Sequence, residues 1–148
     1  MYLVSACLVG INCRYDGKNT FDEKLAELVR EGRAIPLCPE VLGGLPTPRE
    51  SCEIRQGEDG SRRVISRSGT DCTEAYNEGA RKTLEICRIA GIKKAVLQQR
   101  SPSCGCGRIY DGTFSGRLIE GNGITTELLM KNGIDVYTAE SWEESGDG

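Results

Sequence analysis

Short apolar runs alternate along the chain with amphipathic stretches that end in glycine. The runs are Tyr2-Leu3-Val4-Ser5-Ala6, Ala34-Ile35-Pro36-Leu37, Lys94-Ala95-Val96-Leu97-Gln98 and Ile134 to Thr138. A brief, nearly continuous apolar segment bounded by turn residues is what a strand buried on both faces looks like. Each of the last three runs is preceded by a helical period. Asp22 to Arg30 carries Leu25, Leu28 and Val29 on one face and closes at Gly32. Asp71 and Glu74 form a capping-box pattern ahead of a stripe of Cys72, Tyr76, Ala80, Leu84 and Cys87 that runs to Gly91. A third helix runs from a cap at Thr125 through Leu128 and Leu129 to Gly133. The alternation predicts an α/β fold, a Rossmann-like and mainly parallel sheet flanked by helices, with right-handed crossovers.

Three stretches fall outside the alternation. Gln56 to Ser61 is an exposed turn that leads into Arg62 to Ser66, a short hairpin or edge strand. Gly105 to Gly123 is polar and glycine-rich and reads as a long functional loop. Residues 141–148 are acidic and read as a frayed tail beyond a single domain of residues 1–140, with Trp142 folded back onto the surface.

Composition narrows the function classes. With 148 residues, 38% hydrophobic and 28% charged, the chain has material for one core. A net charge of -3 argues against a surface built throughout to grip nucleic acid. It leaves room for a local basic patch, and Arg14, Lys18, Arg49, Arg100, Arg108 and Arg117 crowd the loops. No apolar stretch reaches membrane-spanning length and the first residues lack a leader pattern, so a cytoplasmic protein with no membrane partner is expected. Histidine is absent, so a general base must be a carboxylate, lysine, tyrosine or thiolate.

The eight cysteines carry the most chemistry, and without a secretion signal they read as thiols or metal ligands rather than a disulfide framework. Cys7, Cys38 and Cys104 each come after a strand run, where the chain turns among small residues and prolines. In open α/β sheets ligands sit at the carboxyl ends of the strands. Three thiols gathered there predict a metal or cluster site with one position open, and backbone amides near the sulfurs suit an iron-sulfur centre. Cys72 and Cys87 belong to a helical core stripe. Cys13, Cys52 and Cys106 lie in predicted loops, as a fourth ligand or as resolving thiols. Cys13-Arg14-Tyr15-Asp16-Gly17 is echoed by Cys106-Gly107-Arg108-Ile109-Tyr110-Asp111-Gly112, either as matching loops around one site or as two Asp-Gly turns.

Ser5-Ala6-Cys7-Leu8-Val9-Gly10, Arg14-Tyr15-Asp16-Gly17, Cys38-Pro39-Glu40 with Gly43-Gly44-Leu45 and Pro48-Arg49, Ser101-Pro102-Ser103-Cys104-Gly105, and Tyr110-Asp111-Gly112 together resemble the short, stand-alone thiouracil desulfurase (TudS-like) family. The resemblance covers almost the whole chain. It implies a 4Fe-4S cluster held by Cys7, Cys38 and Cys104 with one iron open to take sulfur from a thiolated uracil, whether free, in a nucleoside or nucleotide, or as a tRNA base. It implies Glu40 as the catalytic acid-base group and Ser101, or the neighbouring Ser103, as the catalytic serine. Arg14, Asp16, Arg49 and Ser103 are then candidates for substrate binding, and Tyr15 and Tyr110 for stacking on the ring. Burial beside an anionic cluster would strengthen Glu40 as a base. Two other readings use the same cysteines: a metal- or redox-sensing binding protein with a structural cluster or zinc and no turnover, and a thiol oxidoreductase working through Cys104 and Cys106. Both leave Glu40 without a role.

Overall fold

The computed structural model describes residues 1–145. In chain order the elements are β1 (Tyr2–Ser5), α1 (Glu23–Arg30), β2 (Ala34–Leu37), α2 (Pro39–Leu42), β3 (Cys52–Gln56), β4 (Arg62–Ser66), α3 (Thr73–Ala90), β5 (Lys94–Val96), β6 (Arg108–Tyr110), β7 (Leu118–Glu120), α4 (Ile124–Lys131) and β8 (Asp135–Tyr137). Four of the strands form one parallel sheet in the order β2-β1-β5-β8, as the alternation of runs and helices predicts. β1 is central and buried along its whole length. Its side chains divide by strand periodicity: Tyr2 and Val4 pack with Leu25 and Leu28 of α1, whereas Leu3 packs with Leu84 and Cys87 of α3 and Leu129 of α4. A third cluster, Cys52, Ile54, Val64, Tyr76 and Ile109, joins the β3–β4 and β6–β7 hairpins to α3.

Several local expectations change. The capping box at Asp71 does not form: α3 starts at Thr73 with Cys72 at the cap position. Asp71 is drawn into a bridge with Ile65, its Oδ1 accepts from the Thr73 amide at 2.9 Å, and its other oxygen pairs with Arg63. α4 starts at Ile124 after Gly123, so Thr125 is a buried first-turn residue and not the cap. The 105–123 stretch contains an antiparallel hairpin, with Ile109 opposite Ile119. Strands of three residues flanked by glycines carry too little alternation to set them apart from a loop. Cys52 lies on β3 and not in a loop, paired with Ser66. Trp142–Ser145 form one 3-10 turn, and Trp142 meets Tyr2 edge to face at 5.8 Å; the rest of the expected tail, 146–148, lies outside the described residues.

Candidate active site

Each thiol of interest is placed by a different device. Cys7 lies in the 3-10 turn Ala6–Val9 that continues β1, and the turn closes at Gly10 in a left-handed conformation, φ 100°. Cys38 is the N-cap residue of α2, directly after β2, with Pro39 opening the helix. Cys104 lies further from its strand, in the turn 101–105. That turn is docked on α4, whose first amides would otherwise lack partners: Ile124 N donates to Pro102 O at 2.7 Å and Thr125 N to Ser103 O at 2.9 Å. Thr126 Oγ1 donates to Cys104 O at 2.9 Å and the Cys104 amide donates to Ser101 Oγ at 2.7 Å. A Cβ on Gly123 would stand 2.4 Å from the Ser103 carbonyl, so only glycine allows this approach.

Cys7, Cys38 and Cys104 line one cavity of about 450 Å³, together with Cys13, Cys52, Glu40, Ser101, Arg14, Arg49, Tyr15 and Tyr110. Five of the eight cysteines thus border it. Cys7 Sγ donates to Gln98 Oε1 at 3.7 Å and Cys38 Sγ to Cys13 O at 3.8 Å. Cys38, Cys104 and Cys13 are each pushed above the ordinary thiol range. Hydrogen bonding with Cys13, then burial, pushes Cys38 far above the ordinary thiol range. Burial, with the negative charge of Glu40 and Cys38, pushes Cys104 up to about 12. Cys13 is raised to about 11: its bond with Cys38 favours the thiolate, but the bond with Cys7 and burial together outweigh it. Loading a metal on such thiols releases protons and repays burial with metal-sulfur bonds.

Glu40 is buried and reaches the cavity through a close helix crossing. A Cβ on Gly43 would lie 2.1 Å from Ala75 O, and one on Gly79 would lie 2.0 Å from Pro39 O. The two glycines therefore let α2 rest on α3 backbone to backbone, which brings Tyr76 OH to Glu40 Oε1 at 2.7 Å. Arg49 Nε donates to the same oxygen at 3.1 Å, while its other nitrogens donate to Pro46 O, Thr47 Oγ1 and Cys13 O. Burial beside a cluster is the setting that the sequence suggests for Glu40; the structure adds a cation and a phenol. Its Oε2 has no hydrogen-bond partner among the described residues.

Other candidates separate clearly. Ser103 does not line the cavity: it is buried and its hydroxyl is 2.7 Å from Thr125 Oγ1. Asp16 stands behind the cavity wall, pairing with Arg14 at 3.2 Å and accepting from the Lys18 amide at 3.0 Å. Arg49 is buried by its four hydrogen bonds and braces Glu40. Arg108 and Cys106 face a second cavity of about 720 Å³ that shares Gln98, Gln99 and Arg100 with the first. Arg67, Glu53, Gln98 and Phe114 line the first cavity without any motif that marks them in the sequence. Tyr76 was visible only as a core position.

Among the described residues no three Cys, Asp or Glu side chains are gathered closely enough to hold a single metal ion. A four-iron cluster binds each thiolate at a different iron, so it needs thiols spread around a cavity rather than converged on a point. The donor set and the cavity fit that group. The family model for 2-thiouracil desulfurase matches residues 2–141. The chain belongs to the 2-thiouracil desulfurase family. Within reach of this family, the uncharacterized protein YbbK of Bacillus subtilis (strain 168) is 48% identical over 143 residues, 93% of this chain and 95% of that protein. The solved structure of a [4Fe-4S]-dependent thiouracil desulfidase, TudS, is 46% identical with a TM-score of 0.88, over 97% of this chain and 93% of that one. The likeness to these two proteins covers nearly the whole chain, sheet and hairpins included.

Proposed function

We propose that this protein is an iron-sulfur enzyme that removes sulfur from a thiolated uracil, as the free base or within a nucleoside, nucleotide or tRNA, with Cys7, Cys38 and Cys104 holding a 4Fe-4S cluster that keeps one iron open. The observation that carries this reading is the convergence of those thiols with Glu40 and Ser101 on one cavity of about 450 Å³. The bound cluster would supply a soft Lewis acid suited to the sulfur of a thiocarbonyl. Arg49 and Tyr76 hold Oε1 of Glu40, which leaves Oε2 to take a proton from a water directed at the thiocarbonyl carbon. Oxygen then replaces sulfur: thiouracil and water give uracil and hydrogen sulfide, with no net change of oxidation state. Ser101, rather than the enclosed Ser103, is the serine we assign to the reaction. Its oxygen accepts the Cys104 amide, and its proton stays available for a ring oxygen or nitrogen. Tyr15 and Tyr110 line the same cavity and offer aromatic surface to a pyrimidine ring.

Anaerobic purification tests the reading. Brown iron-sulfur absorption and the conversion of 4-thiouracil to uracil and sulfide are expected. A colourless, iron-free protein that retains full activity overturns it.

A further inference from the structure

Among the described residues only two that are not glycine adopt the left-handed backbone region, Arg100 at φ 68° and Phe114 at φ 58°. Both line the thiol-bordered cavity. A bulky residue there costs energy and persists only when its surroundings enforce it. At Phe114 the enforcing group is Glu53. This carboxylate is buried on β3, and its Oε1 accepts from the Gly112 amide at 3.0 Å and from the Phe114 amide at 3.1 Å. The segment is pressed against the strand as well: a Cβ on Gly112 would come within 2.8 Å of Ile54 O. Asp111 tightens the turn by accepting from the Thr113 amide at 2.9 Å. A buried carboxylate is thus committed to the backbone of a loop whose one aromatic ring faces the cavity.

Arg67 lies over the Phe114 ring, 5.2 Å from its centre. Both side chains line the cavity, so the guanidinium and the ring form one flat cationic-aromatic pair at its wall. A flat, polarisable thiolated pyrimidine has two faces to cover, and an aromatic wall covers one without regard to which ring position carries sulfur.

We propose that Phe114 is the wall against which the substrate ring lies, and that Glu53 is the positioning residue that holds it there. The proposal rests on the desulfurase reading for the identity of the ring. It assigns these two residues to binding, with the chemistry left to Glu40 and the thiols.

The test uses the cluster-loaded protein with 4-thiouracil, following KM, kcat, cluster absorbance and, by calorimetry, binding of the product uracil. Phe114→Leu keeps apolar bulk and removes the aromatic face; KM and the uracil Kd should rise about tenfold, with kcat and absorbance held. Phe114→Trp should restore KM. Glu53→Ala should raise KM similarly, and adding Phe114→Leu to it should change little further, because the wall is already displaced. Unchanged KM and uracil affinity in Phe114→Leu, with normal absorbance and kcat, overturns the wall while leaving the desulfurase reading intact. Full additivity of the two substitutions overturns the role of Glu53. If the parent protein holds its cluster and turns over no thiouracil, the desulfurase reading fails by itself. Calorimetry with uracil still decides the wall, since loss of binding in Phe114→Leu supports it and retained binding refutes it.

Discussion

Cys104 and Cys106 are separated by one glycine and face different cavities. Cys104 is buried at the wall shared with Cys7 and Cys38, whereas Cys106 borders the second cavity and its Sγ donates to Val136 O at 3.8 Å. The same contrast separates Cys13 from Cys106, the first residues of the two echoed segments: Cys13 is buried beside Cys7 and Cys38. Local letters therefore do not decide which thiols share a site. The docking of the 101–105 turn on α4 decides it for Cys104, and the turn after β1 decides it for Cys13. Cys87 marks a third environment, fully buried on α3 among Leu3, Leu84 and Ile92, where a thiol is packing.

The contrast between cavity and non-cavity thiols can be broken experimentally. The largest effect is expected from Cys7→Ser, Cys38→Ser or Cys104→Ser, each of which should abolish iron-sulfur absorbance and turnover; a coloured, active variant would remove that residue from the ligand set. Glu40→Gln should keep the colour and lower kcat by about 10² to 10⁴, measured as sulfide release. Cys87→Ser should leave absorbance alone and lower stability by about 1–3 kcal/mol in denaturant titration, because it buries a hydroxyl in an apolar cluster. The Cys87 thiol is pushed up by burial from 9.0 to about 11. Its stabilising effect is therefore complete below pH 9 and fades as pH rises to about 11, and Cys87→Ala should flatten that part of the stability profile. Cys106→Ser should move KM, kcat and absorbance by no more than about twofold; a large loss would join the two cavities into one functional unit.

Much of the layered fold is legible because parallel strands buried on both faces and helices buried on one leave strong, distinct patterns. β1, β2, β5 and β8, and the helices before the last three, follow those patterns closely. The β6–β7 hairpin escaped because three-residue strands carry almost no periodicity, and the cap at Asp71 was misplaced because a tertiary partner, Arg63, competes for its carboxylate. The site was partly legible. Strand-end position and motif pointed to Cys7, Cys38, Cys104, Glu40, Ser101, Arg14 and Arg49, all of which border the cavity. Asp16 and Ser103 were singled out by the same motifs, yet their side chains serve the turns behind it. No spacing rule links Glu53 to Phe114 across a gap of 61 residues.

The amino-acid sequence by itself determined the α/β layering, the absence of histidine chemistry and the family, since periodicity, composition and motif are properties of local order along the chain. Only the tertiary structure decided which five thiols share a cavity, which serine opens onto it, and that Arg49 and Tyr76 brace Glu40. Those outcomes depend on backbone contacts between distant segments: two glycines where α2 crosses α3, and one where the Cys104 turn meets α4. Each is a matter of a few ångströms of clearance, which a one-dimensional pattern does not encode.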